Sequence, residues 1–522
     1  MAKKVKEQKS IEQTIWSAAD KLRGAVEPSE YKHVVLSLIF LKYANDKFDE
    51  HRQKMIDAGQ SAFLEMLPFY VKDNVFFIPE CARWSFIMEN AKQADIAIKI
   101  DTALHEIESK NSSLSGALPD NYYSRLHLDA GCLSSLLDLI NGIDLQKEKD
   151  KDVFGRVYEY CLKEFALKEG KGKGEFYTPK SVVALLCELI QPYSGIVYDG
   201  ACGSGGMFVQ SMRFVDEHKG NKRNISVYGQ EYTDTTRRLC KMNLAIRGIS
   251  ANLGEFAAST FLDDRHKDLK ADFALENPPF NQKDWRKPTA LLDDPRWNGY
   301  RVPPVSNANY GWLLNTLSKL GQNGVGAVLL ANGALSADGD EYEIRKQMIK
   351  NDMVEAIIVL PQNMFYTTNI SVTCWILNKN KKARVEHREN GDVSYRDRSG
   401  EILFMDLRQI GHPYEKKYIE FTQEDRDLVT NKFKAWRQSD WTEDYCDVPE
   451  FCHSAPANEI IEKDYSLVPS RYIEFKLREE SQYYDEKMKS LQGELKQLLI
   501  EEEKSKNELL EVLRGLGYEI NL

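Results

Sequence analysis

No stretch of this chain is apolar for long enough to cross a bilayer. The basic start, MAKKVKEQKS, is followed by no hydrophobic signal core. The nine cysteines, at 81, 132, 161, 187, 202, 240, 374, 446 and 452, contain no CxxC pair. So odd and unpatterned a set argues against a disulfide framework and a zinc site, and no metal is expected. These gaps together predict a cytoplasmic protein. Positive charge is short as well: 70 Lys and Arg against 80 Asp and Glu leave a net charge of −10. A protein that grips DNA by itself carries a basic surface to neutralise phosphates. If nucleic acid is the substrate, the basic patch is local or another subunit supplies the grip.

What is present is globular: 42% hydrophobic and 29% charged residues over 522 positions, too many for one ordinary domain. Three regions are expected. Residues 1–165 read as a helical domain, because segments such as IEQTIWSAADKLRG and YKHVVLSLIFLKYANDKFDE repeat apolar residues three and four apart. Residues 166–475 alternate short apolar runs with amphipathic segments. GIVYD (195–199), ISVYGQ (225–230), ADFALE (271–276), GVGAVLL (324–330), MVEAIIVL (353–360) and SVTCWIL (371–377) read as buried strands. DTTRRLCKMNLAIRG and DEYEIRKQMIK read as helices between them. That alternation predicts an α/β fold with a doubly wound, mostly parallel sheet, whose ligands bind at the carboxyl ends of the strands. ENGD (389–392) suggests a hairpin, followed by the strand EILFMDL. Residues 476–522 form a helical tail in which Tyr484, Met488, Leu491, Leu495 and Leu498 step like a heptad seam, resumed by Leu509, Val512 and Leu516. Such a helix packs on its own domain or on a partner's helix.

Two loops carry the chemistry. Asp199-Gly200-Ala201-Cys202-Gly203-Ser204-Gly205-Gly206 joins a strand to the helix MFVQSMRFVDEHK, where glycines allow a tight turn and close approach of a ligand to the helix start. The next strand ends near Glu231, a place where an acid commonly accepts hydrogen bonds from ribose hydroxyls. Asn277-Pro278-Pro279-Phe280 then closes the strand ADFALE with an amide, a stiff turn and a ring.

The run DGACGSGG, then Glu231, then NPPF resembles the S-adenosylmethionine-dependent amino-methyltransferases of DNA, in the motif order of their gamma class. KEGKGKGEFYTPKSV (168–182), RWNGYRVPPVSNANYGWL (296–313), LLANGALSADGDEYEIRKQMI (329–349), LPQNMFYTTNISVTCWIL (360–377) and DYSLVPSRYI (464–473) are similar to the modification subunit of type I restriction–modification systems. With the helical region, the similarity covers essentially the whole chain. It implies a Rossmann-like methyltransferase sheet that methylates N6 of a flipped adenine in duplex DNA. S-adenosylmethionine is the implied cofactor. The implied partners are DNA, a separate specificity subunit, a second copy of this chain and a restriction subunit. Asn277, Pro278, Pro279 and Phe280 become the catalytic tetrad. Gly174, Glu175, Phe176, Tyr177, Thr178 and Pro179, with Asp199, Gly203, Ser204, Gly205, Gly206 and Glu231, become the cofactor site. Phe365 and Tyr366 become contacts to the flipped base. The same tetrad also serves enzymes acting on protein glutamine or RNA, and a catalytically weak scaffold is a further alternative. Three positions depart from the family pattern. Ser259 stands where an acid is usual, Glu276 where a small residue precedes the tetrad, and Gly200 where proline is usual, which adds freedom to the loop. Weakened cofactor affinity is the expectation, unless Asp263 or Asp264 compensates.

Overall fold

The computed structural model describes residues 28–142, 158–161, 178–365, 368–388, 391–414, 418–475 and 480–515. IEQTIWSAADKLRG therefore lies outside the described residues. The described part of the first region is largely helical, over Pro28–Asp57, Leu67–Val71, Trp84–Glu89, Ile96–Lys110, Tyr122–Arg125 and Ala130–Asn141. Their apolar stripes bury one core, including Phe40, Phe48, Ile100, Leu104 and Leu137.

Thirteen strands follow among the described residues: β1 Gly195–Asp199, β2 Ile225–Gly229, β3 Ala251–Asn252, β4 Ala271–Glu276, β5 Leu320–Ala331, β6 Val354–Val359, β7 Val372–Asn378, β8 Arg384–Glu386, β9 Val393–Tyr395, β10 Glu401–Asp406, β11 His412–Tyr414, β12 Tyr418–Glu420 and β13 Cys452–Pro456. Nine make one sheet in the order β13-β10-β6-β7-β5-β4-β1-β2-β3. β3, β2, β1, β4 and β5 run parallel, β7 runs antiparallel between β5 and β6, and β13 runs antiparallel on β10. All six core strands expected from the sequence are present, and β8 with β9 forms the expected hairpin pair. Of its turn, Glu389 and Asn390 fall outside the described residues.

Strand alternation sorts the sheet into two faces. Val197, Leu275 and Leu329 join one core with the helices Lys180–Ile190, Gly206–Glu217 and Gln423–Arg437. Tyr198, Ala274 and Val328 join the other, with helices Asn309–Lys319 and Asp340–Lys350. This is the doubly wound α/β architecture. The helix Asp234–Ile246 belongs to two cores at once: Leu239 and Met242 pack into the N-terminal helical core, and Cys240 and Leu244 into the sheet. Arg238 and Lys241 on it donate to the carbonyls of Leu118 and Ser115 at 2.7 and 2.8 Å.

The chain passes from β3 back across β1 to β4, so the carboxyl ends of β1 and β4 lie side by side at a switch of winding direction. Such a crevice is where ligands bind in open α/β sheets. The helix Glu480–Gly515 ends the described chain.

Candidate active site

The β1 loop is a built turn. Gly203 and Gly205 adopt φ of +52° and +83°, values that L side chains rarely take, and Gly206 opens the following helix. A Cβ at Gly205 would lie 2.9 Å from Cys240 Sγ, so glycine is needed there for space as well as conformation. Asn243 Nδ2 donates to the Ser204 carbonyl at 2.7 Å, pinning the loop from the helix behind it. Glu231 braces it from β2: its carboxylate accepts the Gly203 amide at 3.1 Å and the Thr233 amide at 3.0 Å. Asp199, buried at the end of β1, accepts the Ala201 amide at 3.0 Å. Burial raises its carboxyl to about 8; the Ala201 hydrogen bond opposes this and the Glu231 charge adds to it.

Gly200 is not spare freedom. A Cβ at that position would lie 2.8 Å from the Tyr198 hydroxyl, so glycine accommodates Tyr198. The Gly200 carbonyl in turn accepts the Thr260 hydroxyl at 2.5 Å. Nor do the aspartates beside Ser259 stand in for an acid. Asp263 pairs with Arg265, and Asp264 pairs with the buried Lys319 Nζ at 2.5 Å. Ser259 Oγ accepts the Leu262 amide at 3.3 Å and stays in its own turn.

At the end of β4, alternation sends neighbouring side chains to opposite faces. Glu276 turns toward helix Asn309–Lys319, meeting Thr316 Oγ1 at 3.0 Å. Asn277 turns the other way, and its Nδ2 donates to Thr178 Oγ1 at 2.8 Å. Its Oδ1 is buried and has no hydrogen-bond partner among the described residues. Pro278 is buried; Pro279 and Phe280 are half-buried. Beyond the tetrad, Asn281 takes φ of +53°, a region asparagine tolerates. It is locked by a reciprocal pair: its amide donates to Asn309 Oδ1 at 3.0 Å, and Asn309 Nδ2 donates to its Oδ1 at 2.9 Å. Phe365 is 1% exposed and meets Phe280 edge-on, ring centroids 6.4 Å apart.

Thus Thr178, Asp199, Gly203, Ser204, Gly205, Gly206, Glu231, the tetrad and Phe365 gather around the carboxyl ends of β1, β2 and β4. Pro179 precedes the first turn of helix Lys180–Ile190. Gly174, Glu175, Phe176, Tyr177 and Tyr366 lie outside the described residues. Thr178 and Phe365 contact the tetrad itself, an arrangement the motif did not announce. Thr316, Asn309, Asn243 and Gln230 were not anticipated. Asn309 lies within a stretch that carries the family resemblance, and the others have no local signal. Gln230 shows why: it donates to the carbonyls of Ala258 and Asp263 and accepts the Arg265 amide, partners 28 to 35 residues away in sequence.

Among the described residues no group of His, Cys, Asp and Glu is placed to hold a metal ion, and no helix is long and apolar enough to cross a membrane.

Comparison with known proteins agrees with this geometry. The family model of the N-6 DNA methylases matches residues 149–481, and that of the HsdM N-terminal domain matches residues 11–140. The methylase subunit of the type I restriction enzyme HindI of Haemophilus influenzae is 38% identical, covering 85% of this chain and all of the relative. The MjaIX methylase subunit of Methanocaldococcus jannaschii is 33% identical, covering 97% of this chain and 92% of the relative. The type I methyltransferase subunit from Streptococcus thermophilus shares the fold, with a TM-score of 0.70 at 23% identity, over 89% of this chain and 99% of that one. The chain therefore belongs to the N-6 DNA methylases, among the methylase subunits of type I restriction enzymes.

Proposed function

We propose that this chain transfers a methyl group from S-adenosylmethionine to the N6 amine of an adenine flipped out of duplex DNA, at a site chosen by a separate specificity subunit. The observation that carries the catalytic assignment is the Asn277 carboxamide. Its nitrogen donates to Thr178, and its buried oxygen has no partner among the described residues. An orphaned buried acceptor costs free energy unless a ligand satisfies it. An adenine amine offers the two hydrogens such an acceptor and the Pro278 carbonyl can take. Accepting them stabilises the positive charge that grows on nitrogen as it attacks. The ring of Phe280 stacks on the base, and Pro279 stiffens the carbonyl before it. Because the target atom is hidden in a duplex, flipping precedes chemistry.

The residues present fit the cofactor. Gly203 to Gly206 offer a tight turn and a helix start to its methionine end, with Asp199 as the counter-charge. A carboxylate has about four acceptor positions, so Glu231 can brace Gly203 and still take ribose hydroxyls. When bound, S-adenosylmethionine supplies an electrophilic methyl group. The family resemblance assigns Gly174 to Tyr177 and Pro179 to the cofactor's methionine end and Tyr366 to the base.

The partner assignment rests on the last helix. Met488, Leu491, Leu495, Leu498, Leu509 and Val512 are all exposed on it, so this part of the apolar seam is not covered by the described residues of the chain. We assign it to helices of the specificity subunit, in a complex with a second copy of this chain to which the restriction subunit adds. Asn277→Ala, co-expressed with the specificity protein, should abolish methylation of duplex DNA while assembly survives. Unchanged methylation would refute the catalytic role. Truncation after residue 475 should leave a folded chain that no longer co-purifies with the specificity subunit; retained co-purification would overturn the seam's assignment.

A further inference from the structure

The tetrad is held at both flanks by one helix. On its carboxyl side Asn281 is locked to Asn309, the first residue of helix Asn309–Lys319. On its amino side Glu276 reaches Thr316, two turns further along the same helix. We infer that Glu276 is a positioning residue for methyl transfer: by linking the end of β4 to Thr316 it fixes, together with the Asn281–Asn309 pair, both flanks of the tetrad on one rigid element. This rests on the tetrad being the catalytic loop, as proposed above.

Hydrogen-bond counting sets the protonation state in which the link works. Thr316 has a single hydroxyl proton. Its Oγ1 lies 3.0 Å from Glu276 Oε1 and 2.9 Å from the Trp312 carbonyl one turn back. The carbonyl can only accept. With Thr316 donating to Trp312, its oxygen accepts from Glu276, and that requires the neutral carboxylic acid. The surroundings favour that form. Glu276 is 0% exposed, and its second oxygen has no partner. Burial, then the neighbouring Asp199, push its carboxyl well above the usual carboxylate range, while a proton donated by Thr316 opposes them. Tyr198 beside it on β1 is a buried phenol whose own value is raised. Lys319, on the helix side, favours the charged form but is committed to Asp264 Oδ2 at 2.5 Å and the His266 carbonyl at 2.7 Å. Ionised Glu276 would compete with Trp312 for one proton and meet Asp199, loosening the strand end that aims Asn277 and Pro278.

Glutamine mimics the neutral acid, because its amide nitrogen can donate to Thr316. The experiment is the pH profile of kcat for the complete complex with its specificity subunit, at saturating S-adenosylmethionine and duplex DNA. Wild type should lose kcat along an alkaline limb. Glu276→Gln should keep kcat within about twofold near neutrality and lack that limb, while Glu276→Ala and the isosteric Thr316→Val each lose on the order of ten- to a hundredfold. The double variant should lose no more than either single one. Cofactor binding by calorimetry should stay near wild type in all of them, separating positioning from misfolding. A wild-type profile with no limb, a limb retained in Glu276→Gln, or additive losses in the double variant overturn the inference. Failure of the wild-type complex to methylate duplex DNA would instead strike the reading on which it rests.

Discussion

Glu276 and Glu355 are both fully buried and both lie in the same sheet, yet their surroundings treat them oppositely. Around Glu355 in β6, each carboxylate oxygen accepts a hydrogen bond. Arg398 Nε donates to it at 3.0 Å, Arg437 Nε stands at 3.4 Å and Asn378 Nδ2 donates at 2.9 Å. Burial alone would raise its carboxyl, but Arg437 and Arg398, helped by Asn378 and Lys381, bring it down to about 2. At the end of β4 no cation touches Glu276, one oxygen is orphaned, and the carboxyl is driven up. The half of the sheet remote from the site pairs its buried carboxylate with two cations. The half beside the site holds two acceptors without a partner among the described residues, Glu276 Oε2 and Asn277 Oδ1, and the buried carboxyl of Asp199. Unpartnered acceptors beside the carboxyl ends of β1 and β4 are groups that a ligand bound there would satisfy.

The largest contrast is in stability. Glu355→Ala leaves two buried guanidinium groups without their counter-ion and should cost about 3–5 kcal/mol, readable by urea denaturation. In the same titration Glu276→Gln should move stability by less than about 1 kcal/mol, since no charge pair is lost. Equal losses would erase the distinction between the two halves.

The pH responses should also diverge. Glu355 sits lower folded, at about 2, than its ordinary 4.5, so its contribution is complete above 4.5 and is lost as pH falls from there toward 2. Asp199 runs the other way. Its folded value of about 8 exceeds the ordinary 3.8, so its favourable contribution to folding is complete below 3.8 and gone once pH passes 8. A cationic cofactor needs the carboxylate, so its affinity should rise with pH, by up to about tenfold per unit, and level off near 8. Calorimetry in two buffers of different ionisation heat should detect a proton released on binding. An affinity flat from pH 6 to 8 would remove Asp199 as the counter-charge.

Thr178→Val is the next step down. It leaves Asn277 Nδ2 buried without an acceptor and frees the carboxamide to rotate, a loss of about 1–3 kcal/mol. Because the damage is to aim, it should appear mainly in kcat, roughly ten- to a hundredfold, with assembly intact.

How far the chain itself announced this contrast follows from the range of each interaction. The six core strands were legible because a buried strand is a contiguous apolar run, and the glycine turn and tetrad because each is compact in sequence. β3, with two residues, and β13, CHSAP on the sheet edge, have no such run. The reversed direction of β7 was hidden too, since SVTCWIL reads alike either way. Thr178 and Thr316 reach the tetrad across 99 and 40 residues, and Arg398 reaches Glu355 across 43. Single polar residues brought together by topology leave no periodic trace. Family membership, in turn, is what favours DNA over the protein-glutamine and RNA acceptors, which the tetrad alone could not do.

The smallest expected effect concerns Ser259. Part of the unsatisfied character of the site is that its neighbouring acids are spent: Asp263 on Arg265, Asp264 on Lys319. Ser259 is half-buried, and its hydroxyl accepts only from Leu262 in its own turn among the described contacts. Ser259→Asp would place an acceptor at this position without disturbing the Asp264–Lys319 pair. One added hydrogen bond contributes about 0.5–1.5 kcal/mol, so S-adenosylmethionine should bind two- to tenfold more tightly by calorimetry. Asp264→Asn should lower stability instead, because it leaves Lys319 buried against a neutral partner. Tighter binding in Asp264→Asn, or none in Ser259→Asp, would show that the acid's place in this copy is filled by some other group.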